Sequence, residues 1–334
     1  MTMNDDSTAS ISLGELRFSW RDWDPRALGA EIEWTHPGLA VLPGGDIVVP
    51  DQTTRELVRL GPDGREVKRV ALDATNAHGL TATADGQVWV ADTGMHVKVE
   101  KGEVIKADTP GSVFSVGLDG QPGLSLRRPD HPGYVGGPYL PTSVAVADAG
   151  SGGSGDIWVA DGYGMALVHR YDASGEYLLT LDGEEGGGRF DRAHCVFVDW
   201  RGAEPRLLVT DRSNHRIGVY DLEGTFIKLL GVGELRMPSA FAVAGDLLYV
   251  AELWSRLAVY DPDDRLIGYL GDGELAWEEE AWPNVQTEDG VVRRPVQPGR
   301  FNAPHGFDAG PDGTLYVAEW SLGGRIVELA PTTG

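Results

Sequence analysis

The stretch His78–Asp92, HGLTATADGQVWVAD, decides the reading of this chain. It opens on a small-residue step and runs through a short strand. It reverses at Asp85-Gly86, a pair suited to a tight hairpin turn, and closes on an apolar strand ending Val-Ala-Asp. The same unit recurs five times. It reads GLAVLPGGDIVVPD up to Asp51, TSVAVADAGSGGSGDIWVAD up to Asp161 and HCVFVDWRGAEPRLLVTD up to Asp211. It reads SAFAVAGDLLYVAE up to Glu252 and HGFDAGPDGTLYVAE up to Glu319. Several copies continue into a third strand, such as HRIGVYD or RLAVYD, and a fourth, such as TFIKLLG or RLIGYLG. Six units of four strands predict an all-β, six-bladed propeller, each sheet covered on both faces by its neighbours. With 46 glycines and 20 prolines among 334 residues, many short strands and turns are expected throughout. The last unit lacks a fourth strand. Residues 15–34 are expected to donate it and close the ring, which removes exposed sheet edges. Residues 1–14 read as a disordered tail, and 15–334 as a single propeller domain. Residues 120–139 and 272–300, the second with the acidic run GELAWEEEAW, exceed the repeat and are expected over one mouth of the central channel.

Composition narrows the function. Against 28 basic residues stand 51 acidic ones, a net charge of −23. Such a surface repels phosphate backbones and anionic headgroups, so nucleic acid and membranes are not expected partners. A single cysteine, Cys195, rules out an intrachain disulfide. The first residues, MTMNDDSTAS, lack the basic and apolar regions of a secretion signal, so a cytoplasmic location is expected.

The residue that precedes each blade's inner strand sits beside the propeller axis. In the six units it is Pro37, His78, Thr142, His194, Ser239 and His305. The histidines fall on alternate blades, about 120° apart in a closed six-fold ring, so three imidazoles should converge. That set suits a metal with three protein ligands and an open position. Zinc is the first choice, with iron, copper or nickel also able to accept nitrogen ligands. The loops after the second strands open on the same face and bring Tyr163, Arg212 and Trp320 towards the site. His36 neighbours the equivalent position in the first blade. His169 and His215, in third-strand regions, are expected at the surface. The acids closing the second strands recur in every blade and read as structural.

The repeats resemble NHL repeats, and over roughly residues 36–330 the chain is similar to the peptidyl-α-hydroxyglycine α-amidating lyase family. The likeness is carried by AHGLTATADGQVWVAD, by LPTSVAVADAGSGGSGDIWVADGYG with GEEGGGRFDRAHCVFVD, and by FNAPHGFDAGPDGTLYVAEW. It implies that His78, His194 and His305 are zinc ligands, Tyr163 a catalytic tyrosine and Arg212 an active-site arginine. The implied reaction splits a carbinolamide, N–CH(OH)–, into an amide and an aldehyde such as glyoxylate, from a peptide or a small-molecule substrate. Where that family's substrate-carboxylate arginine should stand, this chain has Asp51 and Gln52, with Arg55 as a substitute. The acid expected after the third histidine, which helps hold a structural calcium, is Gly306, so calcium is not expected. The methionine expected two positions before that histidine is Ala303, and the cysteine after Tyr163 is Gly164. Two other readings are a metal-dependent lactonase or esterase, whose sites favour carboxylates and Asn around calcium, and a non-catalytic NHL scaffold for a protein partner.

Overall fold

A computed structural model describes residues 9–23, 34–35, 37–100, 103–271 and 282–332. Six antiparallel sheets follow one another along the chain. Each inner strand lies against the next, and Pro304–Ala309 of the sixth blade returns to Ala40–Val41 of the first, so the ring is closed. Six buried apolar clusters hold it together, one for each pair of consecutive blades. Val48 and Leu57 meet Val88 and Val90 between blades one and two, and Ile47 and Val58 meet Tyr316 and Ile326 between blades six and one. Second strands such as Ile157–Asp161 and Leu315–Glu319 are buried along their whole length, because a sheet sandwiched by two others has no solvent face. This explains why the repeats read as apolar runs and not as a clean alternation.

The ring is closed by residues from the start of the chain, as expected. Leu16–Trp23 pairs antiparallel with Arg325–Pro331, making the sixth blade's fourth strand. The tail expected through residue 14 is corrected at its inner end. Ser10–Leu13 forms a fifth strand on the same blade, with Ile11 buried against blades five and six.

The acids that close the second strands, Asp51, Asp92, Asp161, Asp211, Glu252 and Glu319, are all buried and structural. Each accepts backbone N–H bonds from a turn on the upper face. In five blades that turn leads into the inner strand: Asp92 takes Asn76 N at 2.7 Å, Asp161 takes Leu140 N at 2.7 Å, Asp211 takes Asp191 N at 2.8 Å and Glu319 takes Asn302 N at 2.6 Å, while Glu252 takes Arg236 N. Four of the six also face an arginine: Arg69, Arg216, Arg256 or Arg325. Among the described residues Asp92 and Asp161 face no such arginine, and burial pushes the Asp161 carboxyl up to about 6. Losing one member of such a buried pair costs about 3–5 kcal/mol, so the repeat spends its charged residues on positioning the loops that carry the axial side chains.

Two expectations about the insertions change. Pro122–Leu126 is the second blade's outer strand, the loop after it is tied to blade three through Tyr134, and residues 120–139 are not in the wall of the cavity described below. Of the second insertion, 272–281 with its glutamates lie outside the described residues, and Val285–Thr287 pairs with Gly290–Val292 in a hairpin. Among the described residues no helix is long and apolar enough to cross a membrane.

Candidate metal centre and active site

The backbone aims the axial histidines. His78, His194 and His305 each sit where the register between first and second strand slips, between Ala77 and Gly79, Ala193 and Val196, and Pro304 and Gly306. A bulge of this kind re-aims a side chain that would otherwise lie on a sheet face, and here it turns the rings towards the axis. The three ring centroids are 4.7, 4.9 and 4.9 Å apart, a near-equilateral triangle. One ligand nitrogen from each lies within 4.8 Å of the others, and all three residues are buried.

The remaining three blades fix the tautomer. His78 Nδ1 donates to Thr142 O at 2.7 Å, His194 Nδ1 to Ser239 O at 2.9 Å and His305 Nδ1 to Pro37 O at 3.4 Å. Each acceptor is the equivalent residue of the next blade. With the proton held on Nδ1, Nε2 is left as the electron-pair donor. Burial drives His194 well below the ordinary imidazole range, with the Arg212, His305 and His78 charges adding to it. Neutral, buried, convergent imidazoles form a donor set that fits a divalent transition metal.

The Tyr163 hydroxyl lies 3.3 Å from His78 Nε2 and 3.2 Å from His194 Nε2. Behind it stands Arg212, 2% exposed, whose Nε and Nη2 make no hydrogen bond among the described residues. Burial pulls the Arg212 guanidinium down to about 10, a fall that the Tyr163 hydroxyl opposes and Arg192 deepens. Tyr163, Arg212 and His305 line a cavity of about 680 Å³ above the imidazoles, a size that takes a small organic molecule.

Trp320 is in the cavity wall, stacked on Trp34 at 5.5 Å and 26° and touched edge-on by Trp282 at 5.8 Å. Gln52 and Arg55 are not in that wall. Gln52 donates to Asn76 Oδ1 at 2.7 Å, and Arg55 is exposed in a turn whose Thr53 and Thr54 N–H groups bond Asp51. His36 lies outside the described residues. His169 was expected at the surface and is fully buried, while His215 is half-buried beside Trp254.

Several residues of the wall are new. Met95–Glu100 and Glu103–Asp108 form a hairpin between the second and third strands of blade two. Its Met95, Val97, Val104 and Lys106 line the cavity, its first strand lies against Trp34–Thr35, and its second against Gly290–Val292. The alternation in MHVKVEKGEVIKAD around Lys101-Gly102 is the sequence signal for it. Arg192 also lines the cavity.

Below the triad, the inner strands close tightly. A Cβ on Gly306 would sit 2.3 Å from Pro37 O, and one on Gly79 2.5 Å from Thr142 O. Position 306 therefore has neither a carboxylate nor room for one. Calcium takes six to eight oxygen ligands. Asp308, two residues further on, already accepts Val41 N and Ala309 N at 2.8 Å. The residues do not fit a calcium site. Cys195, in the same channel, is pushed up to about 11 by burial and is a packing residue.

No family model matches this chain. It is 24% identical over 310 residues to peptidyl-glycine α-amidating monooxygenase B of Xenopus laevis, covering 89% of this chain and 30% of the relative. It is 27% identical over 256 residues to a probable peptidyl-α-hydroxyglycine α-amidating lyase of Caenorhabditis elegans, covering 75% and 63%. Over 102 residues it is 37% identical to peptidyl-α-hydroxyglycine α-amidating lyase 1 of Drosophila melanogaster, covering 30% and 16%. The named relatives are amidating enzymes. The chain spans under a third of the length of the monooxygenases it matches. Among solved structures, a streptogramin B lyase superposes with a TM-score of 0.59 at 14% identity, covering 94% of this chain and 98% of that one. Virginiamycin B lyase from Staphylococcus aureus, crystallised with quinupristin as an inactive variant, gives 0.53 at 13%, covering 94% and 99%. These two likenesses show the propeller fold.

Proposed function

We propose that this protein is a metal-dependent lyase that breaks the C–N bond of a carbinolamide, releasing an amide and an aldehyde. The observation that carries the reading is the Tyr163 hydroxyl, held within 3.3 Å of two of three convergent imidazole nitrogens at the floor of a cavity. The amidating relatives support the same chemistry. His78, His194 and His305 would hold zinc, whose bound charge polarises a substrate oxygen and favours loss of its proton.

The protein's own groups do the rest. Tyr163 stands where the carbinol proton leaves. In this reading its oxygen takes that proton as the C–N bond breaks and returns it to the departing amide nitrogen, so the proton count is unchanged. Arg212 lies beside the Tyr163 oxygen and keeps its positive charge in a buried site, where it can stabilise the phenolate that is present before the proton is taken and again after it is passed on. The carbonyls of Pro37, Thr142 and Ser239 hold the imidazoles turned with Nε2 towards the axis. The tryptophans and the blade-two hairpin line the cavity and limit water at the reacting bond.

The test uses untagged protein purified without chelator. It measures metal content and the formation of glyoxylate from N-benzoyl-α-hydroxyglycine. The expected result is about one zinc per chain and enzyme-dependent glyoxylate. A fully metal-loaded protein that leaves this compound and other carbinolamides intact would overturn the reading.

A further inference from the structure

The chain carries a net charge of −23, yet the charged side chains lining the cavity are Lys106, Arg192 and Arg212 against Asp191 alone. A cleft positive against an acidic surface draws an anion inward. Arg212 is already engaged with Tyr163. Arg192 is not: among the described residues its guanidinium has no hydrogen-bond or ion-pair partner. Its backbone is held in the left-handed region, at φ 64°, where a side-chain-bearing residue is strained. Its carbonyl accepts Arg212 N at 3.1 Å, which fixes it two residues before His194, and its charge is felt by the Arg212 guanidinium. Arg192 and Arg212 thus bring two guanidinium groups to one cavity wall from two loops tied by that backbone bond, and Asp191 is the one acid in the wall, so an anion inside meets a net positive lining. The rest of the wall is flat and apolar: Trp34 and Trp320 stacked, with Met95 and Val97 of the hairpin.

We propose that Arg192 is the specificity residue of this cavity, gripping a carboxylate, and that the ligand class is a small acid with an aromatic or flat apolar group that rests on Trp34 and Trp320. The proposal rests on the lyase reading for its site. It moves the carboxylate anchor from blade one, where Gln52 and Arg55 face away, to blade four.

The experiment measures binding of N-benzoylglycine, which lacks the scissile carbinol, and of its neutral amide, by quenching of tryptophan fluorescence in the metal-loaded protein. The wild type should prefer the acid by about tenfold or more, the value of a charge-assisted pair. Arg192→Gln and Arg192→Gly should bring the two close to parity while keeping the affinity for the amide and the bound metal. Arg192→Lys should restore part of the preference, and Arg55→Gln should leave it intact. With N-benzoyl-α-hydroxyglycine, Arg192→Gln should raise KM more than it lowers kcat. Equal binding of acid and amide by the wild type, or a preference that survives in Arg192→Gln, would overturn the proposal. An acid preference that depends on Arg192 in a wild type that makes no glyoxylate would instead sink only the lyase reading.

Discussion

Two kinds of buried histidine stand in this protein, and they differ in what their second nitrogen faces. His169, in blade three, is as buried as the axial rings. Its Nδ1 meets Thr180 Oγ1 at 2.9 Å and its Nε2 meets the Tyr134 hydroxyl at 2.6 Å, and that hydroxyl also bonds Asp161 at 2.9 Å. Both nitrogens are taken by neighbouring side chains, and the ring ties the loop before blade three to its sheet. His78, His194 and His305 each give one nitrogen to a backbone carbonyl and turn the other towards a shared space. Burial and a depressed basicity are common to His169 and His194. Only convergence separates a ligand set from a structural tie.

The sharpest way to break this comparison is His194→Ala. Bound metal should fall to a small fraction of the wild-type content and turnover should vanish, with an unchanged far-ultraviolet spectrum; retention of full metal would return His194 to the structural group. Tyr163→Phe should keep its metal and lose turnover by roughly 10²–10⁴-fold, the usual range for a proton-transfer group, and full activity would remove Tyr163 from the chemistry. His169→Ala should do the reverse, keeping metal while costing about 2–4 kcal/mol in a denaturant titration, through lost packing and the loss of two buried hydrogen bonds.

The His169 variant also has a pH signature. Burial lowers the folded-state value to about 3, so below the unfolded imidazole's ~6.5 the unfolded chain binds a proton that the folded chain refuses. The stability His169 contributes is therefore whole above pH 6.5 and shrinks as the pH falls towards 3. The gap between wild type and His169→Ala should narrow over that window, and a constant gap would contradict the assignment. The smallest effect belongs to Ser239→Ala. Its hydroxyl lies 2.9 Å from both Ala251 O and Pro304 O, but it is the Ser239 backbone that holds His194. A loss of about 1 kcal/mol with unchanged metal content is expected from melting and metal analysis. Metal loss here would show that the side chains of the alternate blades matter as much as their carbonyls.

Much of this was legible in the sequence, for a physical reason. A repeat fixes equivalent positions in space, so three histidines at one repeat position on alternate blades had to meet. What escaped lay outside the repeat. The Met95–Asp108 hairpin has no counterpart in the other blades, so alignment of the copies passed over it. The bulges that turn the rings inward depend on strand register. Gln52 and Arg55 were placed by a family's pattern, but Asp51 folds that segment into a tight turn that leaves Arg55 in solvent. His169 reads as a polar residue on a third strand, and only the loop that covers it, bearing Tyr134, makes it interior. Arg192 carries no motif, and its backbone angle and cavity position emerge only in three dimensions.

The closure through Leu16–Trp23 and Arg325–Pro331 has a consequence for assembly. His305 belongs to the blade stitched from these two distant segments, so a ribosome must translate as far as residue 331 before the third ligand can be locked in place. Blades two and four can present two imidazoles earlier. Under the proposed metal reading, a nascent chain would hold an ion weakly until these two segments pair, and tight metal capture would mark closure of the ring.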